Sequence, residues 1–289
     1  MGAEQIKVLI LGGTGMLGNA LLRLFASSKN FRVVASVRNA DSLSRLPPSL
    51  HNHVETGVDV DNVDTVARFI AGHRPDVVVN CIGLVKQLSD ANDPLLALPI
   101  NAMFPHRLAR MCASVNARLV HISTDCVFDG AKGNYVETDF SDADDLYGRS
   151  KLLGEVDYPN AITLRTSIIG HELGTNHGLV EWFLSQSGSV RGYARAIFSG
   201  LPTVEMGRVI RNFVIPRPQL SGLFHVSAGP ISKLELLKLI ARHYGKDIEI
   251  IPDDRVVIDR SLDSARFRNE TQYAPPPWDA LIEMMKNFG

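Results

Sequence analysis

The run Ile6-Lys7-Val8-Leu9-Ile10-Leu11, followed by Gly12-Gly13-Thr14-Gly15-Met16-Leu17-Gly18, decides the fold. The first run is almost continuously apolar, which is typical of a parallel strand buried on both faces. The glycines then predict a tight turn before a helix from Asn19 to Ser27. Between a strand and a helix, such a turn indicates a pyrophosphate site, because its backbone N–H groups and the helix dipole favour phosphate. A plain glycine-rich turn is the alternative. The residues we predict to contact a dinucleotide here are Gly12, Thr14, Gly15, Met16 and Leu17.

The next two strand ends bear on the choice of cofactor. The second strand, Phe31 to Val37, ends at Arg38. An acidic residue at this position usually bonds the ribose 2′-hydroxyl of NAD, whereas an Arg suits the 2′-phosphate of NADP. We therefore predict NADPH, with NAD as the alternative, although Arg38 could also be a solvated side chain. A short third strand from Val54 to Val60 places Asp59 where it either meets the adenine amino group or caps the helix Val63 to Ala71.

The fourth strand, Asp76 to Gly83, ends in small residues, and we expect Cys81, Ile82 and Gly83 to lie over the cofactor. A long helix then starts at Asp93-Pro94 and runs to Ser114. It carries Asn101 in an otherwise apolar stretch. Asn101 is either a satisfied core amide or part of a proton relay at the cofactor.

Tyr147 and Lys151 carry the chemistry that the pattern predicts. Four residues apart on a helix, they lie on one face, one turn from each other. The ammonium of Lys151 is expected to lower the pKa of the phenol from its free value of about 10, which would make Tyr147 a usable acid. The alternative is a surface tyrosine beside a solvated lysine. Of the six tyrosines, only Tyr147 has a lysine at the fourth position after it.

The fifth strand, Arg118 to Ile122, opens into Ser123-Thr124-Asp125-Cys126-Val127-Phe128-Asp129-Gly130. Ligands of doubly wound sheets bind at the carboxyl ends of central strands, where these hydroxyls lie. Thr124 and Tyr147 would then grip one substrate carbonyl oxygen and polarise it for hydride attack. The alternative is that Ser123 and Thr124 only cap a turn.

Strands and helices alternate as far as the sixth strand, Ala161 to Ser167, which predicts an α/β Rossmann fold, a doubly wound parallel sheet. We assign residues 1–170 to an NAD(P)-binding domain and residues 171–289 to a smaller mixed C-terminal substrate domain. This second part is less regular, with helices at Gly178 to Gln186, Thr203 to Val214 and Ser232 to His243. A strand near residues 223–227 is expected to rejoin the main sheet.

Composition narrows the classes of function. The chain has 289 residues, of which 45% are hydrophobic and 21% charged, and a net charge of −1. We therefore expect no nucleic-acid partner, since no basic field or run would attract one. Its three cysteines lack metal or disulfide spacing, so we expect no metal and a reducing, cytoplasmic setting. No signal peptide and no apolar run of the roughly 20 residues that cross a bilayer are found.

Together these motifs resemble the extended short-chain dehydrogenase/reductase family, in the branch typified by dTDP-4-dehydrorhamnose reductases. The markers are the glycine turn, the run Ser123 to Gly130, the Tyr147–Lys151 pair and Leu164-Arg165-Thr166-Ser167. The resemblance implies NADPH-dependent reduction of a 4-keto group on a nucleotide-linked 6-deoxyhexose, by a homodimer. Tyr147 would donate the proton, Lys151 would bond the nicotinamide ribose, Thr124 the keto oxygen, and Asp125 would support the site. The implied sugar contacts are Val85, Lys86, Ser123, Thr124, Trp182 and Pro202.

Two departures from the family's patterns affect the substrate. Related sugar dehydratases carry an acidic pair after the threonine, but here Asp125 is followed by Cys126, which argues against dehydration. Rhamnose-forming reductases carry an Asp-Gln pair before a Pro-Thr, where this chain has Ala196 to Thr203. A UDP-linked 2-acetamido-2,6-dideoxy-hexulose is therefore a second candidate substrate. An epimerase, or a non-catalytic NADP-binding subunit like the regulatory beta subunit of methionine adenosyltransferase, is the alternative function.

Overall fold

The apolar runs of the sequence become strands, and the amphipathic segments between them become helices. The structure is a computed structural model that describes residues 5–84, 92–174 and 176–289. The strands are β1 (Ile6–Leu11), β2 (Phe31–Val37), β3 (Val54–Thr56), β4 (Val77–Asn80), β5 (Arg118–Thr124), β6 (Ala161–Thr166), β7 (Ile168–Ile169), β8 (Ser189–Tyr193), β9 (Ala196–Phe198), β10 (Leu201–Pro202), β11 (Gly222–His225), β12 (Ile231–Ser232), β13 (Glu249–Asp253) and β14 (Ile258–Asp259). The helices are α1 (Met16–Ala26), α2 (Ala40–Leu43), α3 (Val63–His73), α4 (Pro94–Ala97), α5 (Phe104–Ser114), α6 (Leu146–Leu153), α7 (Leu179–Ser185), α8 (Thr203–Val209), α9 (Lys233–Tyr244), α10 (Ala265–Thr271) and α11 (Trp278–Phe288).

The central sheet of the described residues has seven strands in the order β11-β6-β5-β4-β1-β2-β3, and every pairing between them is parallel. Strand β1 pairs with β2 on one side and with β4 on the other. The chain therefore winds outward from β1 in both directions, and the crevice where it reverses is the ligand site of such sheets. The predicted Rossmann fold is confirmed.

Helices cover both faces of this sheet. Leu21 and Phe25 of α1 and Leu281 of α11 belong to the core on one face. Phe69 of α3 and Leu108 of α5 belong to the core on the other. Each such side chain, fully buried, contributes roughly 1.5–3 kcal/mol, so the two apolar layers hold the strand ends in fixed register.

After residue 170 the chain builds smaller sheets. In these, β8 pairs with β13, β9 with β12 and β14, and β7 with β10. Strand β11 then returns to the main sheet and pairs with β6, from Gly222 opposite Ile162 to His225 opposite Arg165. The core beneath α1 accordingly combines side chains from both sides of residue 170. Within the described residues we find no helix with the length and apolar character needed to cross a membrane.

Several elements differ from the sequence prediction, including one helix start, one strand end and one long helix that is interrupted. Helix α1 begins at Met16 rather than Asn19, because the glycine turn is tighter than the helical pattern suggests. Strand β3 ends at Thr56, so Asp59 lies in the following loop. The predicted helix from residue 93 to 114 is interrupted by a π-helical segment, Leu98–Met103, in which the N–H of Phe104 bonds the carbonyl of Pro99. Proline disturbs the usual i to i−4 ladder, which accounts for the wider turn.

Candidate functional site

The glycine turn after β1 makes a close approach between strand and helix. Gly12 has a φ of +88°, a conformation that favours glycine. A Cβ atom at Gly18 would overlap the carbonyl oxygen of Gly12, so α1 can lie against the turn only if residue 18 is glycine. The turn is fixed by two hydrogen bonds, from the Gly13 N–H to the Ser36 carbonyl at 2.9 Å and from the Gly15 N–H to the Gly12 carbonyl at 3.0 Å.

The start of α1 fits a pyrophosphate. Its N-cap is Gly15, which has no side chain to satisfy the N–H groups of the first turn. Asn19, one turn further on, is only 7% exposed, and its Nδ2 has no hydrogen-bond partner among the described residues. A glycine-rich turn, an uncapped helix start and a buried donor together suit an anionic group.

Two of the predicted cofactor residues lie at the adjacent strand ends. Arg38 is exposed directly after β2, at the carboxyl end of the strand beside β1. Asp59 lies in the loop after β3, where its Oδ1 accepts the N–H of Asp61 at 3.1 Å. The N-cap of α3 is Asn62, so Asp59 is not the helix cap. Both positions lie along the edge where an adenosine half would extend.

The end of β4 links the glycine turn to the predicted catalytic helix. A Cβ at Gly12 would lie 3.0 Å from Cγ1 of Ile82 and 3.5 Å from the carbonyl carbon of Cys81. A Cβ at Gly83 would lie 3.8 Å from Nζ of Lys151. Cys81, Ile82 and Gly83, which we predict to lie over the cofactor, are therefore located between the glycine turn and Lys151.

Asn101 lies in the π-helical segment and is buried. Its Oδ1 accepts the N–H of Leu84 at 2.9 Å, and its Nδ2 donates to Oγ of Ser150 at 3.1 Å. These bonds match the alternative in which Asn101 is a satisfied core amide. They also tie the residue after Gly83 to α6.

Helix α6 brings Tyr147 to the end of β5. The carboxylate of Asp145 caps it by accepting the N–H of Gly148 at 2.7 Å. A Cβ at Gly148 would overlap the carbonyl oxygen of Cys126, so glycine allows the helix to pack on the turn after Thr124. Tyr147 is half-buried, and the Thr124 hydroxyl, which donates to Oδ1 of Asp125 at 3.1 Å, neighbours its phenol. The structure thus brings together the two groups that the sequence predicted would share one carbonyl oxygen.

The protonation of Tyr147 differs from the sequence prediction. Burial raises the pKa of the phenol above its usual range, the neighbouring Cys126 thiol raises it further, and the Thr124 hydrogen bond opposes them. The prediction that Lys151 lowers this pKa is therefore wrong for this structure. The spacing places the two residues on one face, but Nζ of Lys151 donates to the carbonyl of Ile122 at 2.8 Å. A buried phenol that stays protonated at neutral pH is suited to donate a proton.

Lys151 is itself buried, at 5% exposure. Burial lowers the pKa of its ammonium to about 8, and the carboxylate of Glu155 opposes that change. Burial also raises the pKa of the Asp125 carboxyl, against hydrogen bonding from Thr124 and the positive charge of Arg260. The site therefore holds a buried ammonium, and a carboxyl whose pKa is raised by burial.

The residues predicted to contact the sugar are not all free to do so. The hydroxyl of Ser123 donates to Oε1 of Glu155 at 2.7 Å, so it faces the protein interior. Pro202 is buried and lies opposite Ile169. Trp182 on α7 is 37% exposed and is available to a ligand. The predictions for Val85 and Lys86 fall outside the described residues.

Three residues of the site were missed by the sequence interpretation. Cys126 adjoins the phenol of Tyr147, and Arg260 lies near Asp125 while its Nε donates to the Phe128 carbonyl at 2.6 Å. Glu155 lies behind Lys151. Only Glu155 had a signal in the sequence, since it follows Lys151 by four residues, a spacing that brings two side chains together wherever a helix continues. Among the described residues, no three His, Cys, Asp or Glu side chains cluster as a metal site would require.

The glycine turn lies at the same edge of the sheet as Thr124 at the end of β5, next to Tyr147 and Lys151 on α6. A dinucleotide crevice next to such a Thr–Tyr–Lys group is the arrangement of short-chain dehydrogenases/reductases. The family model for the RmlD substrate binding domain matches residues 6–256. The chain belongs to this RmlD-like family of extended short-chain dehydrogenases/reductases.

Named relatives and solved structures agree with this family. A dTDP-4-dehydrorhamnose reductase of Mycobacterium tuberculosis is 34% identical over 159 residues, covering 47% of this chain and 52% of the relative. The beta subunit of methionine adenosyltransferase 2 from Rattus norvegicus is 32% identical over 149 residues, covering 52% and 41%. The matches thus span about half the length of these curated relatives.

The fold extends over the whole chain. The crystal structure of dTDP-4-dehydrorhamnose reductase from Bacillus anthracis, in complex with NADP, superimposes with a TM-score of 0.80, at 21% identity over 99% of each chain. This likeness shows the fold.

Proposed function

We propose that this chain is an NADPH-dependent reductase that converts the 4-keto group of a nucleotide-linked 6-deoxy-hexose to a hydroxyl. The observation that carries the proposal is the approach of the Thr124 hydroxyl to the Tyr147 phenol, with Lys151 one helical turn away. The end of β4 connects these groups to the glycine turn. The matches to proteins named dTDP-4-dehydrorhamnose reductase support the substrate class.

Each residue of the site has a different role in the proposed reduction. NADPH, when bound, supplies the hydride that the keto carbon receives. The Thr124 hydroxyl donates to the keto oxygen, which stabilises the negative charge that develops there. Tyr147, kept protonated by burial, transfers its proton to the same oxygen. The Lys151 ammonium, which adjoins the end of β4, would bond the nicotinamide ribose.

Cofactor selection rests on Arg38. An exposed guanidinium at the end of β2 suits a 2′-phosphate through charge-assisted hydrogen bonds. The structural neighbour from Bacillus anthracis is itself in complex with NADP, which supports the same choice. NAD is the alternative cofactor.

We propose two candidate sugar nucleotides as the substrate. The nearer expectation is a dTDP-linked 4-keto-6-deoxyhexose; the second is a UDP-linked 2-acetamido-2,6-dideoxy-hexulose, motivated by the departure at Ala196 to Thr203. Cytoplasmic localisation, expected from the cysteines, and a homodimer, expected from the family resemblance, stay predictions.

The test is a panel of dTDP- and UDP-linked 4-keto sugars, with NADPH oxidation followed by absorbance and products identified by NMR. Tyr147→Phe should reduce turnover by about 10²-fold or more while NADPH binding is unchanged. The matched control is Tyr158→Phe, a tyrosine outside the site whose hydroxyl bonds His106. Equal turnover in Tyr147→Phe and the wild type would reject the proposal.

A second candidate is a regulatory subunit that binds NADP without turnover. The match to the methionine adenosyltransferase beta subunit is the observation that favours it. Such a protein would bind NADPH but leave every keto sugar of the panel unreduced. An epimerase would instead retain tightly bound cofactor and consume none, which the stoichiometry of NADPH loss distinguishes.

A further inference from the structure

A buried ion pair lies directly behind the predicted catalytic lysine. Nε of Arg165 donates to Oε1 of Glu155 at 2.7 Å, and Nη2 donates to Oε2 at 2.6 Å. Arg165 is 3% exposed. Two parallel bonds of this kind fix the carboxylate in orientation as well as in position.

The ion pair is tied to the strand that carries Thr124. Ser123 and Arg165 are paired across β5 and β6, and both side chains reach the same carboxylate. Ile122, one residue earlier, accepts the hydrogen bond from Nζ of Lys151. Consecutive residues of β5 therefore hold Lys151 and Glu155.

Arg165 is itself held from three sides. Its guanidinium lies over the ring of Phe128, with 5.2 Å between Cζ and the ring centroid. Nη1 lies 3.3 Å from Nε2 of His225 on β11, and Nη2 donates to Oγ of Ser141 at 3.2 Å. The carboxylate of Glu155 is consequently oriented by groups from β5, β6 and the loop before α6.

The end of α6 allows this arrangement. Gly154 packs so closely on the π-helical segment that a Cβ would overlap the carbonyl oxygen of Asn101. The chain then turns, with the N–H of Glu155 donating to the carbonyl of Leu152 at 3.1 Å. Glu155 thus lies just beyond the end of α6, four residues after Lys151.

We propose that Glu155 is a positioning residue for the reduction: held by Arg165 and Ser123, its carboxylate keeps Lys151 charged and in place beside the reacting phenol. This inference rests on the proposed function. The carboxylate acts through Lys151 and touches neither substrate nor cofactor. Arg165 pairs with this carboxylate, which offsets part of the free-energy cost of burying it.

Other groups that face Lys151 come from each neighbouring element. They are the Cys81 thiol after β4 and the His121 imidazole on β5. Burial lowers the pKa of His121 far below its usual range, and the charge of Lys151 lowers it further, so that imidazole is neutral. Burial raises the pKa of Cys81 to about 12, so its thiol is neutral as well. Glu155 is therefore the negative charge that these neighbours present to the ammonium at neutral pH.

The experiment compares Glu155→Gln with Ser123→Ala in the full chain. Glu155→Gln keeps the shape and loses the charge, whereas Ser123→Ala loses one hydrogen bond to the carboxylate and keeps its charge. The titration of Lys151 is read by NMR of isotope-labelled lysine side chains, which needs no substrate. We expect Glu155→Gln to shift that titration about one pH unit lower, from the usual size of a single nearby charge, and Ser123→Ala to leave it in place.

The kinetic readout is the pH profile of NADPH oxidation. In Glu155→Gln the basic limb should move to lower pH, with about fivefold less activity at pH 8 and near-wild-type activity at pH 6. A uniform loss at every pH, with an unshifted lysine titration, would overturn the inference and indicate a purely structural role. If no keto sugar of the panel is reduced, the proposed function fails while the titration still decides the role of Glu155.

If Glu155→Gln does not fold, Glu155→Asp replaces it in the experiment. Aspartate still offers Arg165 a carboxylate, but its side chain is one methylene shorter, so the charge lies further from Lys151. A smaller downward shift of the Lys151 titration is then expected. No shift in this variant would also overturn the inference.

Discussion

Gly18→Ala isolates the close approach on which the dinucleotide crevice depends. A Cβ at residue 18 would overlap the carbonyl oxygen of Gly12 and lie 3.4 Å from Cα of Gly13. The obstacle is backbone, and the turn is fixed by the bonds from Gly13 to Ser36 and from Gly15 to Gly12, so no side chain can move aside. Helix and strand must therefore separate, at a cost of about 3 kcal/mol, the upper part of the usual range for overpacking.

The measurements are thermal unfolding and NADPH affinity by calorimetry. For a chain of this size, about 3 kcal/mol corresponds to a fall in Tm of roughly 6–12 °C. NADPH affinity should fall by at least about tenfold, because the N–H groups that face the pyrophosphate move with the turn. The matched control is Gly72→Ala in α3, where a Cβ would meet nothing within 4 Å. That variant should gain up to about 1 kcal/mol from helix propensity. Unchanged Tm and unchanged affinity in Gly18→Ala would refute the reasoning.

Two further predictions follow from the site. Arg38→Ala should weaken NADPH binding by about 10- to 100-fold and leave NADH binding nearly unchanged, since a charge-assisted bond is worth about 1.5–3 kcal/mol; equal losses for both cofactors would show that Arg38 does not read the 2′-phosphate. Turnover should fall as the pH rises through about 8, because the Lys151 ammonium is present below its pKa and lost above it; a pH–rate profile that stays flat to pH 10 would contradict this assignment.

The strands and the glycine turn could be predicted from sequence because their signals are local. The run Ile6 to Leu11 is almost continuously apolar, as a strand covered on both faces of its sheet must be. It can therefore be assigned as a strand without knowing which strands pair with it. The π-helical segment at Leu98–Met103 gave no comparable signal, since its proline is also tolerated in ordinary helix starts. The parallel pairing of β8 with β13 joins segments about sixty residues apart and has no local signature.

The candidate site, like the fold, could be predicted from the sequence only where the signal is local. Spacing alone placed Tyr147 and Lys151 on one helical face. It could not reveal how deeply the phenol is buried, and burial decides the direction of its pKa. The partner of Glu155 is Arg165, which the register of β5 against β6 brings opposite Ser123. Arg260 reaches Asp125 from a loop more than a hundred residues later, which only the folded chain reveals.

The return of β11 to the edge of the main sheet has a consequence for dissecting this protein. A fragment ending at residue 170 would lack the strand that covers the outer edge of β6 and the helices α8 and α11 that cover one face. The exposed edge of β6 would offer unpaired backbone groups to other chains, which favours aggregation. The nucleotide-binding half is therefore not expected to be obtained by truncation, and studies of cofactor binding call for point variants of the intact polypeptide.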